Sequence, residues 1–191
     1  ISDIIRTIPL PLGFNVTLAG QNREMSTSFR SLVFALALAV FLVYLVMASQ
    51  FESFLHPFVI LFTIPLALIG AVLALWMTSS TISVVVFIGL ILLAGIVVNN
   101  AIVLIDLINQ LREQGSDKVS AIMSGGRTRL RPILMTTLTT ALGLLPMALG
   151  MGEGAEVRAP MAITVIGGLT VSTVLTLVVI PVVYSILDRK D

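Results

Sequence analysis

Five long apolar runs divide the chain, and short stretches that carry charge, glycine or proline separate them. A helix needs about 20 apolar residues to cross the hydrocarbon core of a bilayer, and each run reaches that length. Strands of a membrane barrel alternate apolar and polar residues, whereas these runs are continuously apolar. The pattern therefore predicts an all-α fold, a polytopic transmembrane helical bundle with spans at about 29–48, 54–77, 82–108, 132–151 and 161–187.

Two features modify a simple five-span bundle. The longest connection, 109–131, contains SDKVSAIMSGGRTRLRP, in which Ser116 is a candidate N-cap and apolar residues follow at helical spacing. Because glycine commonly ends a helix, we expect a short cytoplasmic interfacial helix that stops at Gly125 and Gly126. Pro65 and Pro146 fall inside spans two and four, where proline predicts kinks.

The distribution of lysine and arginine predicts the orientation. An N-terminus outside and a cytoplasmic C-terminus place seven basic residues inside and four outside, as the positive-inside rule favours. Trp76 then lies near the outer interface, and Tyr44 and Tyr184 lie toward the inner one, as in aromatic belts. Segment 1–28, which mixes proline, glycine and charge, is predicted to be the extracytoplasmic tail of a larger extramembrane region, and 29–191 is predicted to be the transmembrane domain. The seven inner residues are Arg112, Lys118, Arg127, Arg129, Arg131, Arg189 and Lys190.

Composition narrows the classes of protein. The chain is 57% hydrophobic and 11% charged, against about 25% charged in soluble domains, so membrane lipids are its expected surroundings. A net charge of +1 gives no indication of nucleic acid. The absence of cysteine excludes disulfides and thiolate metal sites, and the single histidine, His56, is weak evidence for metal. The chain starts at Ile1 without a signal segment, so we expect it to be part of something longer.

Two adjacent amides, Asn99 and Asn100, lie inside the third span in GIVVNNAIVLID. Asn99 is nine residues from the inner end of the span, roughly 13 Å deep at 1.5 Å per residue. An amide at that depth needs a partner, because lipid offers none. It either clamps two helices or belongs to a polar track that a coupling ion uses. Adjacent residues point about 100° apart, so the two amides cannot serve one face.

The fourth span offers a possible partner face in MTTLTTALG, where Thr136 and Thr140 share a side and Thr137 lies next to it. Buried threonines usually bond back to their own helix. Near the inner end, Asp106 is either a solvated or an arginine-paired carboxylate, and Arg129 either holds lipid phosphate or gates water. No Lys, Arg, Asp or Glu occurs at mid-membrane depth. The chain alone therefore has no group suited to carry a proton.

Several stretches together resemble the resistance–nodulation–division (RND) superfamily, in particular its acriflavine-resistance-type multidrug efflux pumps. These are QNREMSTSFRSL, ASQFESFLHPFVILFTIPLALIGA, GIVVNNAIVLID and RTRLRPILMTTLTTALGLLPMALG. The resemblance covers nearly the whole chain in consistent order. It implies the last five of twelve membrane helices, preceded by the tail of the second periplasmic loop.

The resemblance also implies a function. Such pumps are trimeric proton/drug antiporters of the inner membrane, driven by a proton gradient without a cofactor, and a periplasmic adaptor is a further expected partner. Their first half, missing here, carries an acidic pair in a stretch similar to 95–106, and this chain has Asn99 and Asn100 instead. Many members have lysine where Asn99 stands, while Thr136 and Arg129 match relay residues of the family. We expect this chain to supply a polar wall to the proton site, formed by Asn99, Asn100, Thr136 and Arg129.

Two alternatives stay open. The chain is either part of a transporter or a scaffold half that moves nothing and self-associates through its polar wall. Within transporters, export of metal instead of drugs or other amphiphilic compounds also stays open, although the eight methionines are scattered. An intramembrane enzyme needs a buried nucleophile with a base or paired aspartates, and the chain has none, so we expect no enzyme.

The predicted orientation is tested by single cysteines at Ser116 and Gly154. They lie in connections on opposite sides of the predicted bundle, so a membrane-impermeant thiol reagent should label each from a different side. Labelling of both from the same side would contradict the topology.

Overall fold

The chain is helical throughout the part that the computed structural model describes, residues 21–52 and 54–187. The predicted tail 1–28 lies mostly outside these residues, and so do Arg189 and Lys190. Among the described residues there is no strand. The helices are α1 (Gln21–Gln50), α2 (Leu55–Leu61), α3 (Thr63–Met77), α4 (Val84–Glu113), α5 (Lys118–Ala148) and α6 (Ala155–Leu187).

The prediction of five apolar helices is confirmed. Helices α1, α4, α5 and α6 are each long and apolar enough to cross a membrane, and α2 and α3 together form the remaining span. The helices extend beyond the predicted spans at several ends, because the polar residues that flank an apolar run continue the helix into the interface. The division into domains at residue 29 stays a prediction.

Three helices end with the same local structure. At the end of α4, Gly115 adopts a left-handed conformation, φ +88°, and the N–H of Ser116 donates to the carbonyl of Leu111 at 3.1 Å. This is the Schellman motif, which bonds carbonyls that the last turn leaves free. The motif also ends α3 at Ser79 and α5 at Gly150, whose φ angles are +50° and +76°. Short connections at these three ends fold the helices back on one another.

The predicted separate interfacial helix is wrong. Residues 118–148 form one continuous helix, α5, whose N-cap is Asp117. Gly125 does not stop it, because it is buried against α4: a Cβ added there would lie 2.8 Å from Cγ1 of Ile108. The glycine therefore permits close helix packing, and neither it nor Gly126 has the positive φ of a helix end. Pro132 lies within this same continuous helix.

Proline does interrupt the second span. Helix α2 ends at Leu61 and α3 begins at Thr63, so only Phe62 separates them. Pro65 has no N–H to donate to the carbonyl of Leu61, and its ring crowds that carbonyl. Beside this break, the hydroxyl of Thr63 donates to the carbonyl of Ile60 at 2.7 Å. The predicted kink at Pro65 is thus confirmed, whereas α5 continues through Pro146 and ends two residues later.

Helix α6 lies at the centre of the bundle and contacts α2, α3, α4 and α5. Helix α6 packs closely against α3, where backbones meet at glycines. A Cβ added at Gly70 would lie 2.6 Å from Cβ of Val171 and 2.7 Å from the carbonyl oxygen of Gly167. A Cβ at Gly168 would lie 3.1 Å from the carbonyl oxygen of Ala67. Small residues of this kind let membrane helices pack without side chains between them.

Helix α1 lies at the edge and contacts only α2 and α4 among the described elements. Only 6% of its most apolar 18-residue stretch is buried, against 44% of the corresponding stretches of α4 and α6. The corresponding share for α5 is 11%, so this helix is also open on much of its surface. The bundle therefore offers two broad apolar faces to lipid or to further helices.

The expectation that Tyr184 belongs to an aromatic belt is wrong. Its side chain is 1% exposed and packs in a hydrophobic cluster with Ile60, Leu104 and Ile180. Trp76, in contrast, is 77% exposed at the end of α3, as an interfacial residue requires. Tyr184 instead joins a polar cluster inside the bundle.

The α3–α6 contact predicts the effect of Gly70→Ala. The added methyl meets backbone atoms that cannot turn away, so the helices must separate, at a cost of about 1–3 kcal/mol. Gly126→Ala is the matched control, because nothing lies within 4 Å of its Cβ position. We expect Gly70→Ala to lower the thermal midpoint in detergent and Gly126→Ala to keep or raise it. Equal midpoints for the two variants would contradict the glycine contact.

Candidate functional site

The two amides of α4 lie in different environments. Asn99 is exposed, whereas Asn100 is buried and retains 9% of its surface. The rotation of about 100° between neighbouring helix residues produces this difference. Asn100 turns toward the helices packed against α4, while Asn99 turns away from them. The two amides were expected from helix geometry to serve different faces, and their burial agrees.

Asn99 belongs to an exposed stripe along α4. Leu92 and Gly95 precede it on this stripe at helical spacing, and half-buried Asp106 lies two turns beyond. A Cβ added at Gly95 would meet nothing within 4 Å. Gly95 and Asn99 therefore lie next to each other on a face of α4 that the other described helices leave open.

The threonines of α5 also lie in two different environments. Thr136 is exposed, and its hydroxyl donates to the carbonyl of Ile133 on its own helix at 2.9 Å. Thr137 is buried, with its hydroxyl 2.9 Å from that of Thr173 on α6. Thr173 uses its proton on the carbonyl of Leu169 at 2.7 Å, so Thr137 donates to Thr173. Thr137 thus clamps α5 to α6.

The charged candidates lie toward the end of the bundle where α4 ends and α5 begins, called here the α4–α5 end. Arg129 is half-buried, and its Nε is buried without a hydrogen-bond partner among the described residues. Asp106 accepts a hydrogen bond at 2.8 Å from Gln110, one turn further along α4. Arg131 is exposed.

The structure does not join these candidates into one network. Within residues 21–52 and 54–187, no hydrogen bond links Asn99 or Asn100 to Thr136, Thr137 or Arg129. Thr140 is half-buried and likewise forms no side-chain hydrogen bond to these candidates. The residues predicted to form the polar wall lie on the neighbouring helices α4 and α5, and Asn99 and Thr136 among them are exposed.

Sequence reasoning missed the hydroxyl groups of α6. Ser172, Thr173 and Thr176 are buried, and the hydroxyl of Thr176 has no partner among the described residues. The signal was present, since TVSTVLT contains four hydroxyl residues, the same number as the threonine run of α5. Without the fold, nothing indicated that Thr173 would face Thr137.

Comparison with known proteins identifies relatives for nearly the whole chain. The model of the AcrB/AcrD/AcrF family matches residues 1–188. Two solved structures are similar, both of a heavy metal efflux pump, in crystal forms II and I. The first is 32% identical with a TM-score of 0.82 and the second 31% identical with a TM-score of 0.77. Each match covers 99% of this chain, which spans only 19% and 18% of the respective solved chains.

The Thr137–Thr173 contact predicts a small, measurable coupling. Removing both hydroxyls, as Thr137→Val and Thr173→Val, should give a double-mutant-cycle coupling of about 0.6–1.7 kcal/mol in unfolding free energy. Thr136→Val is the control in combination with Thr173→Val, because its hydroxyl bonds only its own helix. A coupling as large for Thr136 as for Thr137 would contradict the clamp.

Proposed function

The chain belongs to the AcrB/AcrD/AcrF family of RND transporters, and from this premise we propose that it forms the C-terminal part of the membrane domain of a proton-driven efflux transporter. Family membership and five apolar helices make it a multi-pass membrane protein. The alternative of an intramembrane enzyme is rejected, because the family is one of transporters. The proposed location is the inner membrane, with the N-terminus outside and the C-terminus in the cytoplasm.

The observation that carries the proposal is the exposure of Asn99 beside the open Gly95. An amide side chain that faces hydrocarbon without a partner costs free energy. The glycine next to it allows another helix to come close. The missing first half of the transporter is the proposed occupant, and the acidic pair implied by the family resemblance is the proposed partner of Asn99. The amide then donates to a carboxylate that takes up and releases the proton.

The environments of the other candidates support distinct roles. Asn100 and Thr137 are buried within this chain, so their proposed role is to hold α4 and α5 in place. Thr136 is exposed like Asn99, and Arg129 carries a buried Nε without a described partner, so both are proposed to line the polar path. Thr140 and Asp106 are half-buried and are proposed to lie at its margins.

Drugs or other amphiphilic compounds are the proposed substrates, and metal export is a second candidate. The observation that favours metal is the similarity, at 32% and 31% identity, to structures of a heavy metal efflux pump. The family resemblance places substrate capture in the periplasmic loops, outside this chain. Growth of a host expressing the complete transporter in toxic amphiphiles and in toxic divalent metals separates the two candidates.

A complete transporter is proposed to work as a trimer with a periplasmic adaptor. The scaffold alternative predicts instead that the chain self-associates through the face of Asn99. Gradient-driven transport by the complete protein, lost when this chain is deleted, supports the transporter. Unchanged transport after deletion supports the scaffold.

Paired substitutions of the two amides test the proposal within the complete transporter. Asn99→Leu should reduce proton-driven efflux at least tenfold at near-normal protein level, because the carboxylates lose a donor that stabilises their charge. A loss of about 1.4 kcal/mol suffices for this reduction. Asn100→Leu should mainly lower the amount of folded protein, since Asn100 is buried within this chain.

The measurement is efflux rate divided by transporter abundance in the membrane. Thr139→Val, at an exposed position of α5, controls for loss of a polar group in general. Normal efflux per molecule in Asn99→Leu would refute the contact with the proton site.

A further inference from the structure

The basic side chains of α5 point to two different sides of the helix. Lys118 and Arg129 are half-buried on the side of the bundle, where Nζ of Lys118 donates to the carbonyl of Ser185 on α6 at 2.9 Å. Arg127 and Arg131 are exposed, and neither forms a hydrogen bond or an ion pair with any residue that the structure describes. Because they are four residues apart, their side chains are neighbours on the outer surface of the helix.

No carboxylate on α5 balances these charges. Residues 118–148 contain one lysine and three arginines but neither aspartate nor glutamate. Arg127 and Arg131 therefore present two adjacent guanidinium groups whose donors are open to a ligand. A guanidinium has five N–H donors in a planar fork that matches the oxygens of a phosphate group. The pair is suited to an anion that carries phosphate.

An apolar stripe continues from the two arginines along the same side of α5. Leu134, Leu138 and Leu142 are all exposed. With 3.6 residues per turn, the two arginines and the three leucines lie within about 80° of the helix circumference. Arg131 and Leu142 are eleven residues apart, roughly 16 Å along the axis and about half the thickness of the hydrocarbon core. The stripe thus has the depth of one leaflet, with its charged end at the surface.

The stripe lies on the opposite side of α5 from Thr136. Nine residues separate Arg127 from Thr136, which corresponds to a rotation of about 180°. The exposed Thr136 is proposed above to face the polar path beside the missing first half. Packing of that half against Thr136 therefore leaves the face of Arg127 open. The buried Gly125 and Thr137, which contact α4 and α6, lie on neither of these two faces.

We propose that the outer face of α5 binds one anionic phospholipid in the leaflet at the α4–α5 end. The lipid phosphate accepts hydrogen bonds from Arg127 and Arg131, and an acyl chain lies along Leu134, Leu138 and Leu142. A zwitterionic lipid offers the same phosphate, but its ammonium group opposes the attraction to two arginines. The site accordingly prefers a head group with net negative charge. This binding does not depend on proton-coupled transport.

Crosslinking from the middle of the stripe identifies the bound lipid. The photoreactive amino acid p-benzoylphenylalanine is placed at the position of Leu138 in the complete transporter. The protein is reconstituted with equal amounts of phosphatidylglycerol and phosphatidylcholine that carry the same acyl chains, and mass spectrometry counts the two lipids on the crosslinked peptide. We expect phosphatidylglycerol to exceed phosphatidylcholine by about fivefold, the factor that one basic side chain near an anionic surface supplies.

Two charge-matched variants separate this site from the general attraction of a basic protein for anionic lipid. Arg127→Gln combined with Arg131→Gln should bring the lipid ratio close to one. Arg30→Gln combined with Arg158→Gln removes the same charge from exposed arginines toward the opposite end of the bundle, and it should retain the enrichment. All four arginines are exposed, so neither pair of substitutions disturbs the packed interior.

Three results would overturn the lipid site. The first is equal crosslinking of both lipids in the unaltered protein, and the second is the same ratio in both variant pairs. The third is crosslinking of position 138 to protein instead of lipid, since another helix would then cover the stripe.

Inorganic phosphate is the second probe, because it carries the charge of the head group without an acyl chain. Replacing chloride by phosphate at constant ionic strength should leave the enrichment of phosphatidylglycerol unchanged. Loss of the enrichment at low phosphate concentration would show that soluble phosphate is the ligand and would refute the lipid. Neither probe measures transport, so these results are distinguishable from a failure of the proposed transport function.

Discussion

The contact of Gly70 on α3 with Gly167 and Gly168 on α6 determines the arrangement of the other helices. Hydrophobic burial does not drive helices together in lipid, because lipid tails are as apolar as leucine, so close packing of backbones carries more of the association. With α3 seated on one side of α6, α4 packs against another: Gly89 approaches Met161, and a Cβ at Gly168 would collide with Leu93. Helices α3, α4 and α6 thus fill the centre of the bundle, while α1 and α5 remain open on much of their surfaces.

This arrangement of the helices explains which polar side chains find partners within the chain. The hydroxyls of α6 that face α5 find partners inside the chain, as Thr137 and Thr173 show. Asn99, on the outer stripe of α4, is exposed without a hydrogen bond among the described residues, and the exposed Thr136 of α5 bonds only its own helix. A polar group in a membrane helix needs a partner, and for this reason we propose that another helix packs on the face of α4 that carries Asn99.

The fold was largely predictable from sequence, because continuous apolar runs of membrane length allow few other structures. The errors share one cause: the effect of a residue depended on its neighbour in space. Gly125 resembled a helix end but packs against Ile108, and Tyr184 resembled a lipid anchor but lies in the core. For the candidate site, the divergence of Asn99 and Asn100 followed from helix geometry alone. The pairing of Thr137 with Thr173 did not, since it depends on how α5 and α6 are registered.

Helix α4 carries a further asparagine, Asn109, which accepts a hydrogen bond from Tyr184 of α6 and lies 3.3 Å from His56 of α2. Asn99 and Asn109 are ten residues apart, about 15 Å along the axis, and the side chains between them that pack inward include Leu104, Ile105 and Ile108, all fully buried. The side-chain amide of Asn99 is exposed, whereas that of Asn109 has a hydrogen-bond contact on each side. Residue type therefore does not decide the role of an asparagine in this chain; the partner does.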